Sequence, residues 1–304
     1  MILMCHICEN KLIQQFSKVI DPITRDTFSI HKCIECGLGH TIPRPRDLNR
    51  YYTNHYYGKR HGFTSRHCIQ RRLKILTFAM NSKETAKKLL DIGCGDGSFL
   101  LAAQNAGWDV MGTELNPSSA LLAGIDVREN LEQVPRGDKF DCITLWHSLD
   151  HIPDINSTLS KLSQLLNTYG KLLIAVPDNG GGQAKVFRHR WLHLDVPRHL
   201  YHFDAHSLPY CLRSYGFTIQ HQWHQEVEYD LIGWSQSALN YLFPYYPNIF
   251  FNFLVHKQMN CNFLIKMTNV LLGAIFTGLS LPAVVAGTLV GRGGTLITAA
   301  YRTK

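Results

Sequence analysis

The sequence predicts an α/β fold built on a mostly parallel sheet, with a cysteine-rich module in front and an apolar helical insertion before the last strand. Three observations carry this prediction. Strand-like apolar runs alternate with helical spacing between residues 89 and 176, two Cys-x-x-Cys pairs lie near the start, and residues 267–291 carry no charge. Such alternation is typical of parallel sheets covered on both faces. At 304 residues and 45% apolar composition, the chain can bury one sizeable core and a small module.

A glycine-rich loop follows the first strand of the alternating region. Residues 89–92 end in Gly93-Cys94-Gly95-Asp96-Gly97, and residues 98–103 continue with helical apolar spacing. Glycine at every second position allows backbone angles that a side chain would forbid and lets a ligand approach the main chain. A loop between strand and helix is where open α/β sheets bind nucleotides. A dinucleotide fold would place glycine or alanine where Ser98 stands.

The next strand ends in an acid. Glu114 follows the apolar run 108–113, about twenty residues beyond the glycines, where a carboxylate can accept hydrogen bonds from both ribose hydroxyls. Loop and acid together resemble motif I of the class I SAM-dependent methyltransferases. The resemblance implies a Rossmann-like seven-stranded sheet and S-adenosyl-L-methionine (SAM) as cofactor. It places cofactor contacts at Asp91, Gly93, Cys94, Gly95, Gly97, Glu114 and Leu115. The alternative is a structural turn followed by a surface acid.

Later strands extend the resemblance. We predict a fourth strand at Phe140–Trp146, a helix at Ile155–Leu166 and a fifth strand at Lys171–Pro177. Asn130 and Leu131 follow the third strand, where this family contacts adenine. Trp146 and His147 lie at the carboxyl end of the fourth strand and complete the expected cofactor contacts.

The loop after the fourth strand holds a candidate base. Asp150-His151 stands where many relatives carry Glu-His, between the expected positions of cofactor and acceptor. A histidine there could remove an acceptor proton near neutral pH. The alternative is that His151 only caps the next helix or forms a hydrogen bond within the loop.

Residues 178–206 are rich in histidine and contain no clear strand pattern. The run Pro-Arg-His-Leu-x-His-Phe in this segment resembles a stretch that follows the fifth strand in the same methyltransferase group. It predicts an acceptor pocket in which His199 or His202 is the base or an anchor and Arg198 binds an anionic group. The blander alternative is that one of these histidines braces the loop.

Four cysteines near the start have zinc-ligand spacing. Cys5-x-x-Cys8 and Cys33-x-x-Cys36 are separated by 24 residues, and four thiolates so spaced can form a tetrahedral site. We predict a zinc ribbon over residues 1–42. A closed site of four cysteines has no open position, so the zinc would serve structure or docking. The alternative is two unrelated pairs of buried thiols.

Residues 43–85 form a basic, tyrosine-rich connector followed by a helix predicted over Arg66–Lys88. Interleaved cations and aromatics suit single-stranded nucleic acid, but prolines and tyrosine pairs also suit a linker packed over a pocket. A zinc ribbon, then Pro-x-Pro, paired tyrosines and motif I is similar to a group of bacterial methyltransferases. Many of these occur in pathways to surface polysaccharide, modified sugars or lipids. The resemblance implies a tyrosine lid and disfavours nucleic acid.

The net charge of +8 belongs to the N-terminal part. Residues 1–75 hold 13 Lys and Arg against 5 Asp and Glu, while the remaining residues balance at 18 against 18. This pattern indicates either attraction to an anionic surface or a solvated face around a metal module. The nine cysteines and the absence of a long apolar run after Met1 predict a reducing compartment without a secretory signal. We expect a cytosolic protein or one bound to a cytosolic membrane face.

The insertion at 225–291 separates a sixth strand, Gly216–Trp223, from the last strand, Gly293–Tyr301. The methyltransferase domain is therefore predicted at 86–224 and 292–304. The stretch 242–255 is dense in aromatics, and Pro282 is expected to break the uncharged segment 267–291 near its middle. Because both ends return to the same sheet, we predict a helix pair in one leaflet, with peripheral membrane contact through 242–291. Burial in the protein or in an oligomer interface is the alternative.

Three functions are consistent with the sequence. The first is SAM-dependent methyl transfer to a small-molecule, sugar or lipid-linked acceptor, at a membrane surface. The second is a non-catalytic module that binds SAM or a partner and docks through its zinc ribbon. The third, nucleic-acid methylation, lacks the Asn/Asp-Pro-Pro-aromatic sequence of base-amino methyltransferases, because Trp146-His147-Ser148-Leu149 stands there.

Overall fold

The computed structural model describes residues 3–52, 64–80, 87–135, 137–257 and 261–303. The chain forms two compact units, each assembled from three segments. Unit 1 comprises Met1–Thr64, Pro177–Leu208 and Trp223–Leu296, and unit 2 comprises Ser65–Val176, Pro209–Gln222 and Ile297–Lys304. Residues 177–208, which we predicted within the methyltransferase domain, thus group with the N-terminal segment.

The elements alternate as the sequence pattern predicts. The strands are β1 (Leu12–Ile20), β2 (Thr27–Cys33), β3 (Gly39–Ile42), β4 (Lys87–Ile92), β5 (Trp108–Thr113), β6 (Val127–Arg128), β7 (Phe140–Trp146), β8 (Leu166–Pro177), β9 (Tyr201–His202), β10 (Phe217–Trp223) and β11 (Thr295–Arg302). The helices are α1 (Ser65–Met80), α2 (Ser98–Asn105), α3 (Ser118–Leu122), α4 (Ile155–Leu165), α5 (Gly182–Phe187), α6 (Ser207–Arg213), α7 (Val227–Leu242), α8 (Ile249–Leu254) and α9 (Phe263–Leu289).

The larger sheet has seven strands in the order β10-β11-β8-β7-β4-β5-β6. The pairs β4–β5, β4–β7, β5–β6 and β7–β8 are parallel. This confirms the predicted seven-stranded, mostly parallel α/β sheet. Strand order reverses at β4, because β5 lies on one side of it and β7 on the other. Open α/β sheets bind ligands at such a reversal, outside the carboxyl ends of the strands.

Helix α4 follows the ordinary amphipathic rule. Asp154 caps it by accepting a hydrogen bond from the Ser157 N–H at 3.0 Å. Leu159 and Leu162 are fully buried, whereas Asn156 is exposed. The apolar face therefore packs inward and the polar face meets solvent.

Several predicted boundaries were wrong. The fifth strand, predicted over Lys171–Pro177, is β8 and begins at Leu166, which pairs with Phe140 of β7. The helix expected over Arg66–Lys88 is α1, which ends at Met80, and Lys87 and Lys88 already belong to β4. Those lysines extend the strand because they pair with Trp108 and Asp109 of β5, a contact that charge patterning cannot show. Residues 53–63 of the tyrosine-rich connector lie outside the described residues.

A second sheet lies in unit 1, with strand order β1-β2-β3-β9. Its last strand was not predicted, since residues 178–206 were expected to lack a strand. In β9, Tyr201 pairs with His40 and His202 pairs with Gly39. Two residues are too few to show a period of two in the sequence, so only the partner strand reveals this element.

The insertion holds α7, α8 and α9. The predicted break of the uncharged segment at Pro282 was wrong. Most of the uncharged segment belongs to α9, a single helix of 27 residues that continues through Pro282. An interior proline removes one hydrogen bond and costs about 3 kcal/mol, which the many remaining hydrogen bonds of so long a helix offset. Among the described helices, α9 is the one long and apolar enough to cross a membrane by length and composition. Only 17% of its most apolar 18-residue window is buried.

Candidate functional site

The glycine loop after β4 uses conformations that favour glycine. Gly93, Gly95 and Gly97 have φ angles of 74°, 63° and 77°. The N–H groups of Gly93 and Cys94 both donate to the Thr113 carbonyl, at 2.8 and 3.0 Å, so the turn is tied to the end of β5. Gly97 then precedes α2, and a Cβ there would lie 3.0 Å from the Ala120 Cβ.

Glu114 directly follows β5 and faces this loop. Its Oε2 accepts a hydrogen bond from the Gly95 N–H at 2.8 Å, while its own N–H donates to the Arg128 carbonyl at 2.9 Å. The carboxylate is therefore held by the glycine turn, while the main chain of Glu114 is held by β6. A carboxylate so placed at the carboxyl ends of β4 and β5 can accept hydrogen bonds from a sugar diol.

The loop after β7 meets the glycine turn through Ser148, which the sequence analysis did not single out. The Ser148 hydroxyl donates to the Ile92 carbonyl at 2.7 Å. A Cβ on Gly93 would lie 2.8 Å from the Ser148 Cβ, so only glycine fits there. The sequence marked Ser148 only by its position, which is two residues after the strand that borders the reversal of strand order.

Two predicted contacts lie at the ends of β4 and β7. Asp91 is buried and accepts a hydrogen bond from the Thr144 hydroxyl at 2.6 Å, which links the two strands. Trp146 is buried in edge-to-face contact with Phe99, and the Arg72 guanidinium lies 5.1 Å from the centre of its ring. Both side chains are therefore held in place by contacts with neighbouring elements of the same unit.

The remaining predicted cofactor residues surround the same edge of the sheet. Leu115 follows Glu114 and is exposed. Asn130 caps a 3₁₀ turn over Leu131–Gln133, where its Oδ1 accepts from the N–H groups of Glu132 and Gln133. His147 takes a φ of 55°, unusual for a residue with a side chain, and its N–H donates to the Ala175 carbonyl.

Asp150 and His151 lie in a 3₁₀ turn over Leu149–His151, after β7. Asp150 is buried, and the His151 ring is half-buried. The His151 N–H donates to the Ser148 carbonyl at 3.1 Å. His151 therefore lies in unit 2, as the glycine turn does, whereas His199 and His202 belong to unit 1.

His199 and His202 each use one ring nitrogen for a structural bond. His199 Nδ1 donates to the His193 carbonyl at 2.9 Å. The Thr41 hydroxyl donates its only proton to the His199 carbonyl at 2.7 Å, so the contact of 2.9 Å between Thr41 Oγ1 and His202 Nε2 requires the histidine to be the donor. These bonds tie the segment before α6 to β3.

The role predicted for Arg198 was wrong. Its side chain is 1% exposed, and Nη2 lies 2.7 Å from a carboxylate oxygen of Asp21 and 2.7 Å from one of Asp195. Burial by itself lowers the pKa of the guanidinium, but the charges of Asp195 and Asp21 outweigh burial and raise it. Arg198 is committed to a structural ion pair that joins β9's segment to the N-terminal sheet.

The four N-terminal cysteines converge. Their sulfurs all lie within 4.8 Å of one another, with Cys5 and Cys36 3.6 Å apart and Cys8 and Cys33 3.4 Å apart. All four are free cysteines. Around a tetrahedral zinc with bonds of about 2.3 Å, neighbouring sulfurs lie roughly 3.8 Å apart. The hydrogen bond between the Cys5 and Cys36 thiols lowers the pKa of Cys5 and raises the pKa of Cys36.

Known proteins share this architecture. One solved structure, from Galdieria sulphuraria and provisionally described as a sarcosine dimethylglycine methyltransferase, aligns with this chain with a TM-score of 0.53 at 13% identity. The alignment covers 84% of this chain and 98% of that one, and it shows the fold alone. Sheet order, glycine turn and Glu114 define the fold of the class I SAM-dependent methyltransferases. A family model described as a methyltransferase domain matches residues 61–222, more than half of the chain, and the chain belongs to that family.

The curated relatives align with shorter parts of this chain. A ubiquinone biosynthesis O-methyltransferase from Glaesserella parasuis is 23% identical over 207 residues, which cover 60% of this chain and 79% of that protein. One from Aromatoleum aromaticum is 27% identical over 107 residues, which cover 31% of this chain and 46% of that protein. The chain spans about half the length of the first curated relatives that it matches.

Proposed function

We propose that this protein is a SAM-dependent methyltransferase that acts on a small-molecule, sugar or lipid-linked acceptor at the cytosolic face of a membrane. The observation that carries the proposal is the glycine turn at the strand-order reversal, with the Glu114 carboxylate held 2.8 Å from the Gly95 N–H. The family match supports the same activity.

The glycine turn and Glu114 suit the binding of SAM. Glycines with positive φ leave the main chain open to close approach, and Glu114 supplies the acid that a ribose requires. In this proposal Asn130 and Leu131 contact the adenine, while the turns after β4 and β7 hold the remainder. When bound, SAM supplies a methyl carbon that already carries a good leaving group, because the sulfonium sulfur departs as a neutral thioether.

The chain's own part in the reaction is alignment and proton removal. Holding two reactants in line can contribute about 7 to 11 kcal/mol, and a positioned base typically adds 10²- to 10⁴-fold. We assign the base to His151, because it follows the strand that borders the reversal point. His199 and His202 serve better as braces, since each donates one ring proton to a structural partner.

Two findings support the acceptor class. Relatives named for ubiquinone biosynthesis support a small-molecule acceptor. The long, exposed apolar helix α9 supports an acceptor that is delivered at a membrane surface. The pathways implied by the resemblance, to polysaccharide, modified sugars or lipids, use acceptors of this kind.

We propose that Cys5, Cys8, Cys33 and Cys36 bind a structural zinc ion. The fit rests on four free thiols whose spacing matches a tetrahedral site. With all four positions occupied by cysteine, the ion would hold the N-terminal sheet together and would have no open position for chemistry.

Calorimetry of SAM binding tests the cofactor site. Glu114→Ala should abolish measurable binding, because the ribose loses its carboxylate acceptor. Asp109→Ala is the matched control, since Asp109 is an exposed acid on β5, the strand that Glu114 follows, and its carboxylate lies 3.7 Å from the Lys88 ammonium. Wild-type protein that binds no SAM, or equal binding by both variants, would contradict the proposal.

Labelled SAM mixed with a membrane lipid extract tests catalysis. A labelled lipid product from the wild type that falls at least about 10²-fold with His151→Ala supports the enzyme and its base. SAM binding without any labelled product from lipid or small-molecule fractions would favour a non-catalytic module instead.

A further inference from the structure

Helix α9 exposes its apolar side chains and buries small or polar ones, which is the opposite of an ordinary surface helix. Its exposed face is formed by large apolar side chains at helical spacing: Leu264, Met267, Leu271, Ile275, Leu279, Val285 and Leu289. Every residue of the helix after Lys266 is uncharged. The buried positions are Asn269, Gly273, Ser280 and Val284, which are mostly small or polar. In α4, by contrast, leucines are buried and Asn156, Ser157 and Gln164 are exposed.

Polar side chains also fill the inner side of this helical layer. Gln236 Nε2 donates to Asn240 Oδ1 at 2.8 Å, and Asn240 Nδ2 donates to Asn248 Oδ1 at 2.9 Å. The Phe251 N–H donates to Gln236 Oε1 at 2.7 Å, which ties α8 to α7. Small residues and interior amides on the packed side, with leucines outside, are typical of helices whose surroundings are lipid.

The charges of this region suit an anionic surface. The chain holds no Asp or Glu after Asp230, and the cations between α7 and the uncharged part of α9 are Lys257 and Lys266. Each ammonium lies near an aromatic ring, Lys257 at 5.3 Å from Phe251 and Lys266 at 5.6 Å from Phe253. Lysine side chains near a membrane surface are attracted to anionic lipid headgroups.

The apolar face runs along one side of α9. The two ends of the insertion lie close together. The Gly294 N–H, which follows α9, donates to Asp230 Oδ1 near the start of α7 at 2.8 Å. A single crossing of the bilayer by α9 would place these two ends on opposite sides of the membrane. A 27-residue helix lying flat presents a stripe of about 40 Å to the acyl chains.

We infer that α9 is seated in the plane of one leaflet of an anionic phospholipid bilayer, with the Leu264–Leu289 stripe in the acyl region and Lys257 and Lys266 among the headgroups. This deepens the membrane part of the proposed function but depends on no catalytic step, and its tests contain no activity measurement.

Vesicle flotation of the full chain tests the inference. The protein should float with phosphatidylcholine vesicles, and a larger fraction should float when phosphatidylglycerol is included. High salt should remove only the additional binding that phosphatidylglycerol causes. The double variant Leu271→Glu, Leu279→Glu should lower vesicle partition at least about tenfold. Leu122→Glu, which changes a leucine of α3 that is 90% exposed, is the matched control and should float as the wild type does.

Topology is tested through Cys261, which precedes α9 and is partly exposed. A membrane-impermeant maleimide added outside the vesicles should label the wild type more than Cys261→Ser, without detergent. Labelling that requires detergent would show a crossing and overturn the in-plane arrangement.

Two further outcomes would overturn lipid as the occupant of this face. The first is wild-type protein that stays in the lipid-free fraction with both vesicle types. The second is a discrete dimer in detergent-free buffer that the double variant converts to monomer, because the stripe would then meet a second copy. Loss of SAM binding with normal flotation would leave this inference standing and remove the methyl-transfer proposal.

Discussion

At the scale of single residues, Arg198 shows how a buried charge is accommodated. A guanidinium removed from water is costly unless carboxylates and hydrogen bonds replace its hydration, and Asp21 and Asp195 do so here at 2.7 Å each. Removing Arg198 would leave the fully buried Asp21 without its cation. The exposed pair of Arg50 and Asp26 keeps its contact with solvent instead.

We predict that Arg198→Ala lowers the free energy of unfolding by about 3 to 5 kcal/mol, because it leaves an uncompensated buried carboxylate. Arg50→Ala, the control, should cause little measurable change, since surface ion pairs contribute little. Urea denaturation followed by circular dichroism measures both. Equal losses in the two variants would contradict the role given to burial.

Asp204 gives a prediction about pH. Burial acts to raise the pKa of this carboxyl, but the Ser207 N–H and the Lys32 ammonium outweigh burial and lower it below the ordinary value. A lowered folded-state pKa contributes stability that is fully present above the unfolded value of about 3.9 and is lost as pH falls through the folded value.

The wild type should therefore melt at a higher temperature than Asp204→Asn near pH 7, and the difference should shrink as the pH falls below about 4. Asp109→Asn, at an exposed position of β5, is the control for removing one charge. A difference between wild type and Asp204→Asn that is constant from pH 7 to the acid limit would contradict this account.

At the scale of elements, α9 depends on how closely its neighbours approach. A Cβ on Gly273 would lie 2.3 Å from the ring of Phe250, which is buried on α8, whereas a Cβ on Gly278 would meet nothing within 4 Å. The two glycines lie in one helix with opposite surroundings. Helix packing, rather than helix propensity, therefore decides the effect of adding a methyl group.

We predict that Gly273→Ala destabilises the protein by about 1 to 3 kcal/mol, because the Phe250 ring must move in a packed interface. Gly278→Ala should stabilise it by about 0.5 to 1 kcal/mol, since alanine loses less conformational freedom in a helix. Denaturation in the same detergent or lipid mixture compares them. Shifts of the same sign and size would show that α9 does not pack on α8 as described.

At the scale of the whole molecule, unit 1 is assembled from chain segments that are far apart in sequence. Strand β9 extends the N-terminal sheet, and Arg198 forms its ion pair with Asp21. The cysteine cluster closes the other part of the same sheet, because Cys33 ends β2 and Cys36 follows it. Loss of the proposed zinc should therefore affect more than the N-terminal ribbon.

We predict that the purified protein contains about one zinc per chain and that chelation lowers its melting temperature by more than about 5 °C, because metal binding supplies folding free energy. Cys33→Ser should do the same. Cys261→Ser, which lies outside the cluster, should retain both metal and melting temperature. Metal-free protein with the melting temperature of the untreated sample would contradict a structural zinc.

Much of the site is legible in the sequence. The glycine spacing and Glu114 predicted a turn and an acid that the structure joins by one hydrogen bond, and Phe140–Trp146 is a strand with the predicted bounds. Ser148 escaped prediction because serine carries no distinctive spacing, and its role depends on contact with Ile92 across two strands. Arg198 was misread because a cation in a histidine-rich loop looks the same whether it meets a ligand or a buried acid.

The sequence by itself determined the alternation of strand and helix, the glycine turn and the spacing of the four cysteines, because each depends on residues close together in the chain. Only the tertiary structure decided that Arg198 is buried, that β9 completes the N-terminal sheet, and that α9 continues through Pro282 with its leucines outward. Those outcomes depend on which distant segments pack together, and local sequence patterns do not show this.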